Sequence, residues 1–190
     1  RLVNNGIRLN YQSDGFSSLT WINWETFIEP GDPFREEFTF GTANEITLLK
    51  GATYEIKLPF SIISHHKGGQ IDQSEKPIET IFDFALGLKM KEKFSSDFFR
   101  TLQFEPYAFL EQNDEDFEEG YAIWPRIILT TKWAEISAGY FYGENYNSYW
   151  GNPLFFSGLT AENATFPFSE TQFITFKAGV GRKLADNSGA

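Results

Sequence analysis

The sequence predicts an all-β fold, an antiparallel up-and-down transmembrane β-barrel with about 8–10 strands visible, forming a portion of a larger barrel. Three observations carry that expectation. Long segments alternate large apolar residues with polar ones, and the links between them alternate short and long. Aromatic residues make up 18% of the chain, with Phe 21, Tyr 8 and Trp 5. Side chains of a strand point to opposite faces with period two, so each segment has one greasy face and one wet face. Tight turns at one end, longer loops at the other and abundant aromatics are the pattern of a barrel wall in a membrane.

Nine strands are expected, over residues 7–13, 17–28, 36–49, 53–66, 79–92, 98–111, 119–130, 132–143 and 170–183. The clearest holds Tyr54, Ile56, Leu58, Phe60 and Ile62 on one face and Glu55, Lys57, Pro59 and Ser61 on the other. The fifth sets Phe82, Phe84, Leu86, Leu88 and Met90 against Asp83, Ala85, Gly87 and Lys89, although its start also carries helical spacing. The eighth sets Ala134, Ile136, Ala138, Tyr140 and Tyr142 against Glu135, Ser137 and Gly139; the ninth sets Ile174, Phe176, Ala178 and Val180 against Thr175, Lys177 and Gly179. Asn44 breaks the alternation of the third strand and is read as a bulge. Pro59, Pro106 and Pro125 fall inside strands, where each removes a ladder donor, so they are expected at bulges or exposed edges.

The links around Ser13-Asp14-Gly15, Lys50-Gly51, Lys93–Asp97 and Thr131-Lys132 are tight, whereas 29–35, 67–78, the acidic run after Gln112 and 144–169 are longer. Short links are expected on the periplasmic side and long ones outside. An odd strand count does not suit a single-chain bacterial barrel, so the count predicts a further strand before Arg1; the last strand lacks a terminal aromatic and ends in a polar tail, which predicts a chain that continues past Ala190. Residues 1–183 are read as the barrel portion and 184–190 as a polar tail.

The formal net charge of −10 excludes a nucleic-acid partner on electrostatic grounds. Cysteine is absent, so there are no disulfides or thiolate metal sites. No apolar run approaches the ~18 residues of a transmembrane helix.

The elements GIRLNYQSD, SLTWINWETFI, GDPFREEFTFG and HHKGGQID, in that order between Ile7 and Asp72, resemble uncharacterised porin-like outer-membrane β-barrel proteins of Gram-negative bacteria; GYFYGENY near residue 139 is similar to a later hairpin of that group. The resemblance implies an outer-membrane location and a barrel, and it carries over no catalytic residue.

Candidate residues follow from the faces. Glu25, Lys57, Asp83, Lys89, Glu105, Arg126, Glu135 and Lys177 are expected to face the lumen. Asp114, Asp116 and Glu118 belong to an acidic loop whose oxygens suit calcium, but the loop lacks EF-hand spacing and an acidic run is usually a solvated face. Tyr149, Trp150, Phe155 and Phe156 sit in an aromatic loop expected to fold into the mouth as a plug or onto a partner. His65 and His66 are the two histidines. As strand neighbours they point to opposite faces and do not chelate one ion; the bland reading makes them a polar strand end.

The function expected from these features is a porin-like channel or a structural and interaction component of the outer membrane, with no enzymatic activity and no cofactor. Its partners would be the lipid bilayer and other outer-membrane or surface proteins. Two rivals stand beside it: a secreted all-β glycan-binding module that stacks a sugar on Trp150, and a barrel enzyme acting on lipid with His65 or His66 as base.

Overall fold

A computed structural model of the chain describes residues 5–69, 77–113, 119–146 and 169–180. It is all-β and antiparallel, with twelve strand segments in one sheet. They are β1 (Asn5–Gln12), β2 (Phe16–Thr26), β3 (Glu37–Lys50), β4 (Tyr54–Lys67), β5 (Glu79–Gly87), β6 (Lys89–Lys93), β7 (Phe99–Glu105), β8 (Tyr107–Asn113), β9 (Glu119–Ile123), β10 (Arg126–Thr131), β11 (Ala134–Glu144) and β12 (Glu170–Val180).

Three pairs of segments are single strands with a gap in the ladder. Against β4, Phe60 faces Leu86 of β5 and Tyr54 faces Glu92 of β6, in one unbroken register. Likewise Ala108 of β8 faces Ile123 of β9, and Glu105 of β7 faces Arg126 of β10. Joining β5 to β6, β7 to β8 and β9 to β10 leaves nine antiparallel strands in sequential order. The expected helix-like start of the fifth strand is extended as β5.

The prolines explain the gaps. Pro106 and Pro125 separate the joined segments, and Pro59 sits where β4 passes from pairing β5 to pairing β6. They therefore share one crease across neighbouring strands instead of lying at bulges or edges. Each ring removes a donor, yet the carbonyls still accept: Leu88 N donates to Pro106 O at 3.0 Å and Tyr140 N to Pro125 O at 3.1 Å. Asn44 is not a bulge either; it pairs regularly with Ser18 and Phe60, and the irregularity falls between Thr47 and Leu49.

The two faces of the sheet have opposite chemistry. Leu9, Leu86, Leu110, Ile127, Ile174 and Phe176 are exposed on the convex face. Thr39, His65, Glu105 and Glu111 are buried on the concave one. A water-soluble domain is built the other way round. The concave wall is kept shallow by glycine where an aromatic ring crosses it: a Cβ on Gly41 would stand 2.1 Å from the Trp21 ring. An apolar cluster of Ala122, Phe141 and Tyr146, with Phe109, Trp124 and Phe173 against it, fills the concave side of β8, β9, β11 and β12. Among the described residues β1 pairs only with β2 and β12 only with β11, so the sheet is a ring left open between these edges.

Candidate functional site

The long-link end of β2, β3 and β4 concentrates polar side chains. Thr39 and His65 face each other across β3 and β4, which puts both on the concave face. The register between β2 and β3 slips between Trp24 and Thr26, so Glu25 is an extra residue outside the ladder. A bulge of this kind re-aims its side chain. Here it brings the Glu25 carboxylate onto Thr39, whose Oγ1 donates to Glu25 Oε1 at 2.6 Å. Thr39 Oγ1 also lies 3.4 Å from His65 Nδ1. With its proton committed to Glu25, the hydroxyl must accept from His65, which requires a proton on Nδ1. Thr39 and His65 are each 6% exposed, whereas Glu25 is open to solvent. The arrangement is a three-residue relay with its carboxylate end accessible.

A second group braces the loops around it. Arg35 is buried; it donates from Nη1 to Glu79 Oε1 at 2.6 Å, from Nη2 to Lys67 O at 2.9 Å, and also to Pro77 O. Gly68 has φ 112°, a left-handed conformation that favours glycine, and a Cβ there would stand 2.6 Å from Arg35 Nη2. Glu37 and Lys67 pair at 2.8 Å beside it. Arg35, in the link 27–36, thus ties Lys67 at the end of β4, Pro77 and Glu79 of β5 together through one guanidinium.

The remaining expected residues form a separate group lower on the concave wall. Lys57 bonds Glu45 at 3.0 Å and approaches Glu55 at 3.7 Å; Lys89 bonds Glu45 at 2.6 Å. Glu105 pairs with Arg126 and accepts from Gln103. Arg126 lies over the Trp124 ring at 4.3 Å. Asp83 stands opposite Glu111. Glu135 and Lys177 share this face by register and are exposed near the β12 edge. Of the eight expected lumen-facing residues, only Glu25 joins the relay. The acidic-loop residues Asp114, Asp116 and Glu118, the aromatic-loop residues Tyr149, Trp150, Phe155 and Phe156, and the 184–190 tail lie outside the described residues. Among the described residues no three or more His, Asp or Glu side chains gather in a metal-holding group.

The histidines separate as their alternation requires. His65 belongs to the relay. His66 faces the convex side, 4.8 Å from the Phe38 ring centroid and 3.0 Å from Thr80 Oγ1. Thr39, Arg35 and Glu79 escaped the sequence reading because each is isolated in the chain. Only the β3–β4 register juxtaposes Thr39 and His65. The bulge at Glu25 leaves no compositional mark.

Comparison with curated proteins and with solved structures finds no match. A family model, the Lipid A 3'-O-deacylase-type, matches residues 1–189. That match corrects the porin-like resemblance, the channel function with its transport role, and the glycan-binding alternative. It also overturns the expectation of no enzymatic activity, because the family is named for a lipid-modifying reaction. Lipid A is an envelope glycolipid, so the family places the chain at the Gram-negative envelope. The chain belongs to the Lipid A 3'-O-deacylase-type family.

Proposed function

We propose that this chain is an outer-membrane hydrolase that cleaves an acyl ester of lipid A, with the Glu25–Thr39–His65 relay as its reactive centre. The family match supports the substrate. The observation that carries the site is the relay itself: a buried hydroxyl and imidazole aligned behind an accessible carboxylate at the long-link end of the wall.

The wall supports the location. Its convex face is apolar and exposed. Aromatic rings mark the tight-turn end: Tyr11 beside Phe16 at 6.1 Å, and Phe98 edge-on to Trp133 at 5.5 Å. Trp24 and Phe38 lie together near the long-link end at 6.1 Å. Two aromatic girdles around an apolar band describe a barrel wall in a bilayer. A lipid substrate would then stand against the wall with its headgroup near the long links, at the level of Glu25.

In the proposed reaction Glu25 takes a proton from water as the water oxygen attacks the ester carbonyl. The carbonyl–oxygen bond to the sugar breaks, the sugar oxygen receives the proton, and a free fatty acid leaves. Thr39 fixes the Glu25 carboxylate and His65 fixes Thr39. Position matters because a base must lie within hydrogen-bond reach of its proton.

The test is the full chain reconstituted in vesicles containing lipid A, with products read by mass spectrometry. Loss of one acyl chain by the parent protein, abolished by Glu25→Gln in protein that still folds, is expected. Unchanged lipid A with correctly folded parent protein refutes the activity. Full activity of Glu25→Gln refutes the assigned site.

A further inference from the structure

Between the two aromatic levels, the convex face of β2 and β3 carries a polar island. Ser18 and Thr20 on β2 stand opposite Asn44 and Thr42 on β3. Thr20 Oγ1 and Thr42 Oγ1 are 3.0 Å apart, and Asn44 Nδ2 donates to Thr42 Oγ1 at 3.0 Å. These are the only hydrogen bonds the four side chains make among the described residues. The amide oxygen and the second amide hydrogen of Asn44, and the Ser18 hydroxyl, are left over.

The surroundings are apolar. Leu9 and Tyr11 flank the island from β1, opposite Thr20 and Ser18. Phe60 and Ile62 flank it from β4, opposite Asn44 and Thr42. Along β2, Thr20 is four residues from Phe16 and four from Trp24, about 13 Å of strand either way. That centres the island between the two aromatic levels, at the depth of acyl chains if the wall spans a bilayer. Acyl chains have no hydrogen-bonding groups, and an unpaired amide in hydrocarbon is costly. Lipid does not satisfy this patch; a protein surface with its own donors and acceptors at the same depth does.

We propose that the β2–β3 face is a self-association surface, and that the island is covered by the same island of a second copy of this chain. An isologous contact about a two-fold axis needs a self-complementary patch. An amide supplies donor and acceptor together, and each hydroxyl does the same, so two copies of this island can complete each other. The proposal rests on the reading of the convex face as lipid-facing. It is independent of the reactive centre, because Glu25, Thr39 and His65 belong to the concave side.

The experiment uses the full chain in phosphatidylcholine vesicles. The chain contains no cysteine, so single replacements report cleanly. Under mild oxidation Ser18→Cys is expected to give a disulfide-linked dimer, while Leu110→Cys on the distant β8 face remains monomeric. Adding Asn44→Leu to Ser18→Cys should lower the dimer yield at least tenfold. The proposal is overturned if Ser18→Cys cross-links no faster than Leu110→Cys, or if Asn44→Leu leaves the yield unchanged. Flotation separates the two levels of argument. Protein that floats with vesicles without cross-linking removes the dimer alone. Protein that does not float removes the lipid-facing reading and the dimer with it.

Discussion

Replacing Thr39 with Val is the sharpest probe of the relay. The substitution keeps the branched shape at a buried position and deletes only the hydroxyl, which is 2.6 Å from Glu25 Oε1 and 3.4 Å from His65 Nδ1. A hydrogen bond to a charged acceptor contributes about 1.5–3 kcal/mol. Glu25 is open to solvent, and screening moves the value toward the lower half of that range. If the bond serves to hold the base in place, its loss appears in the barrier, where about 1.4 kcal/mol is tenfold in rate. Thr39→Val should therefore lower kcat for lipid A deacylation by roughly 10- to 50-fold with little change in KM. Thr39→Ser, which restores the hydroxyl, should recover most of the rate. The assay is release of fatty acid from lipid A vesicles, with a heat-dependent shift on a semi-denaturing gel as a folding control. The reasoning fails if Thr39→Val keeps the parental kcat while folded, or if Thr39→Ser is as slow as Thr39→Val. The second outcome would show that the methyl packing matters and the hydroxyl does not.

His65→Ala should reduce deacylation by at least tenfold while His66→Ala leaves it within twofold, since only His65 reaches Thr39; equal losses in the same fatty-acid assay would break that distinction. Arg35→Met removes the guanidinium that bonds the partly exposed Glu79 and two carbonyls, so it should cost about 1.5–3 kcal/mol, read as a lower denaturant midpoint for the full chain in detergent micelles. Leu86→Arg places a charge on the exposed convex wall and should cost about 2–4 kcal/mol for insertion into vesicles if that wall meets lipid near the midplane, whereas Ala85→Ser on the concave side should be close to neutral; similar folding of the two variants would contradict the assignment of faces. Gly41→Ala should destabilise by roughly 1–3 kcal/mol through overpacking against Trp21, and a Trp21→Ala partner substitution should remove most of that penalty in a double-mutant cycle.

Much of the architecture was readable from the chain because a sheet with two unlike faces is written in a period-two code. Phe84 and Leu86 against Asp83 and Ala85 give the faces of β5 directly, and the structure places them so. The nine continuous strands were legible for the same reason. What the alternation does not encode is the partner of a residue. Pro59, Pro106 and Pro125 looked like three separate defects, and only the register shows them sharing a crease. Asn44 looked like a bulge because it is a polar residue in an apolar series, whereas its backbone is regular and its amide meets Thr42. The extra residue at Glu25 sits in the unremarkable run Trp24-Glu25-Thr26, since any residue type can occupy a bulge.

The same limit explains why the chemistry was misread. An exposed apolar face looks alike whether the sheet encloses a solute path or presents a reactive group to a lipid, so the convex face does not tell a channel from an enzyme. The concave face carries the difference. Most of its charges are spent in pairs: Lys57 and Lys89 on Glu45, Arg126 on Glu105, Arg35 on Glu79. Each pair ties strands or links together, and ordinary structural requirements account for it. The Glu25–Thr39 contact differs because a neutral hydroxyl, not a cation, orients the carboxylate. A hydroxyl fixes the direction of the carboxylate without placing a second charge beside it. Thr39→Lys, which would offer Glu25 such a cation in place of the hydroxyl, is expected to be slower than Thr39→Val; a faster Thr39→Lys enzyme would show that Glu25 works as a charged stabiliser and not as the base.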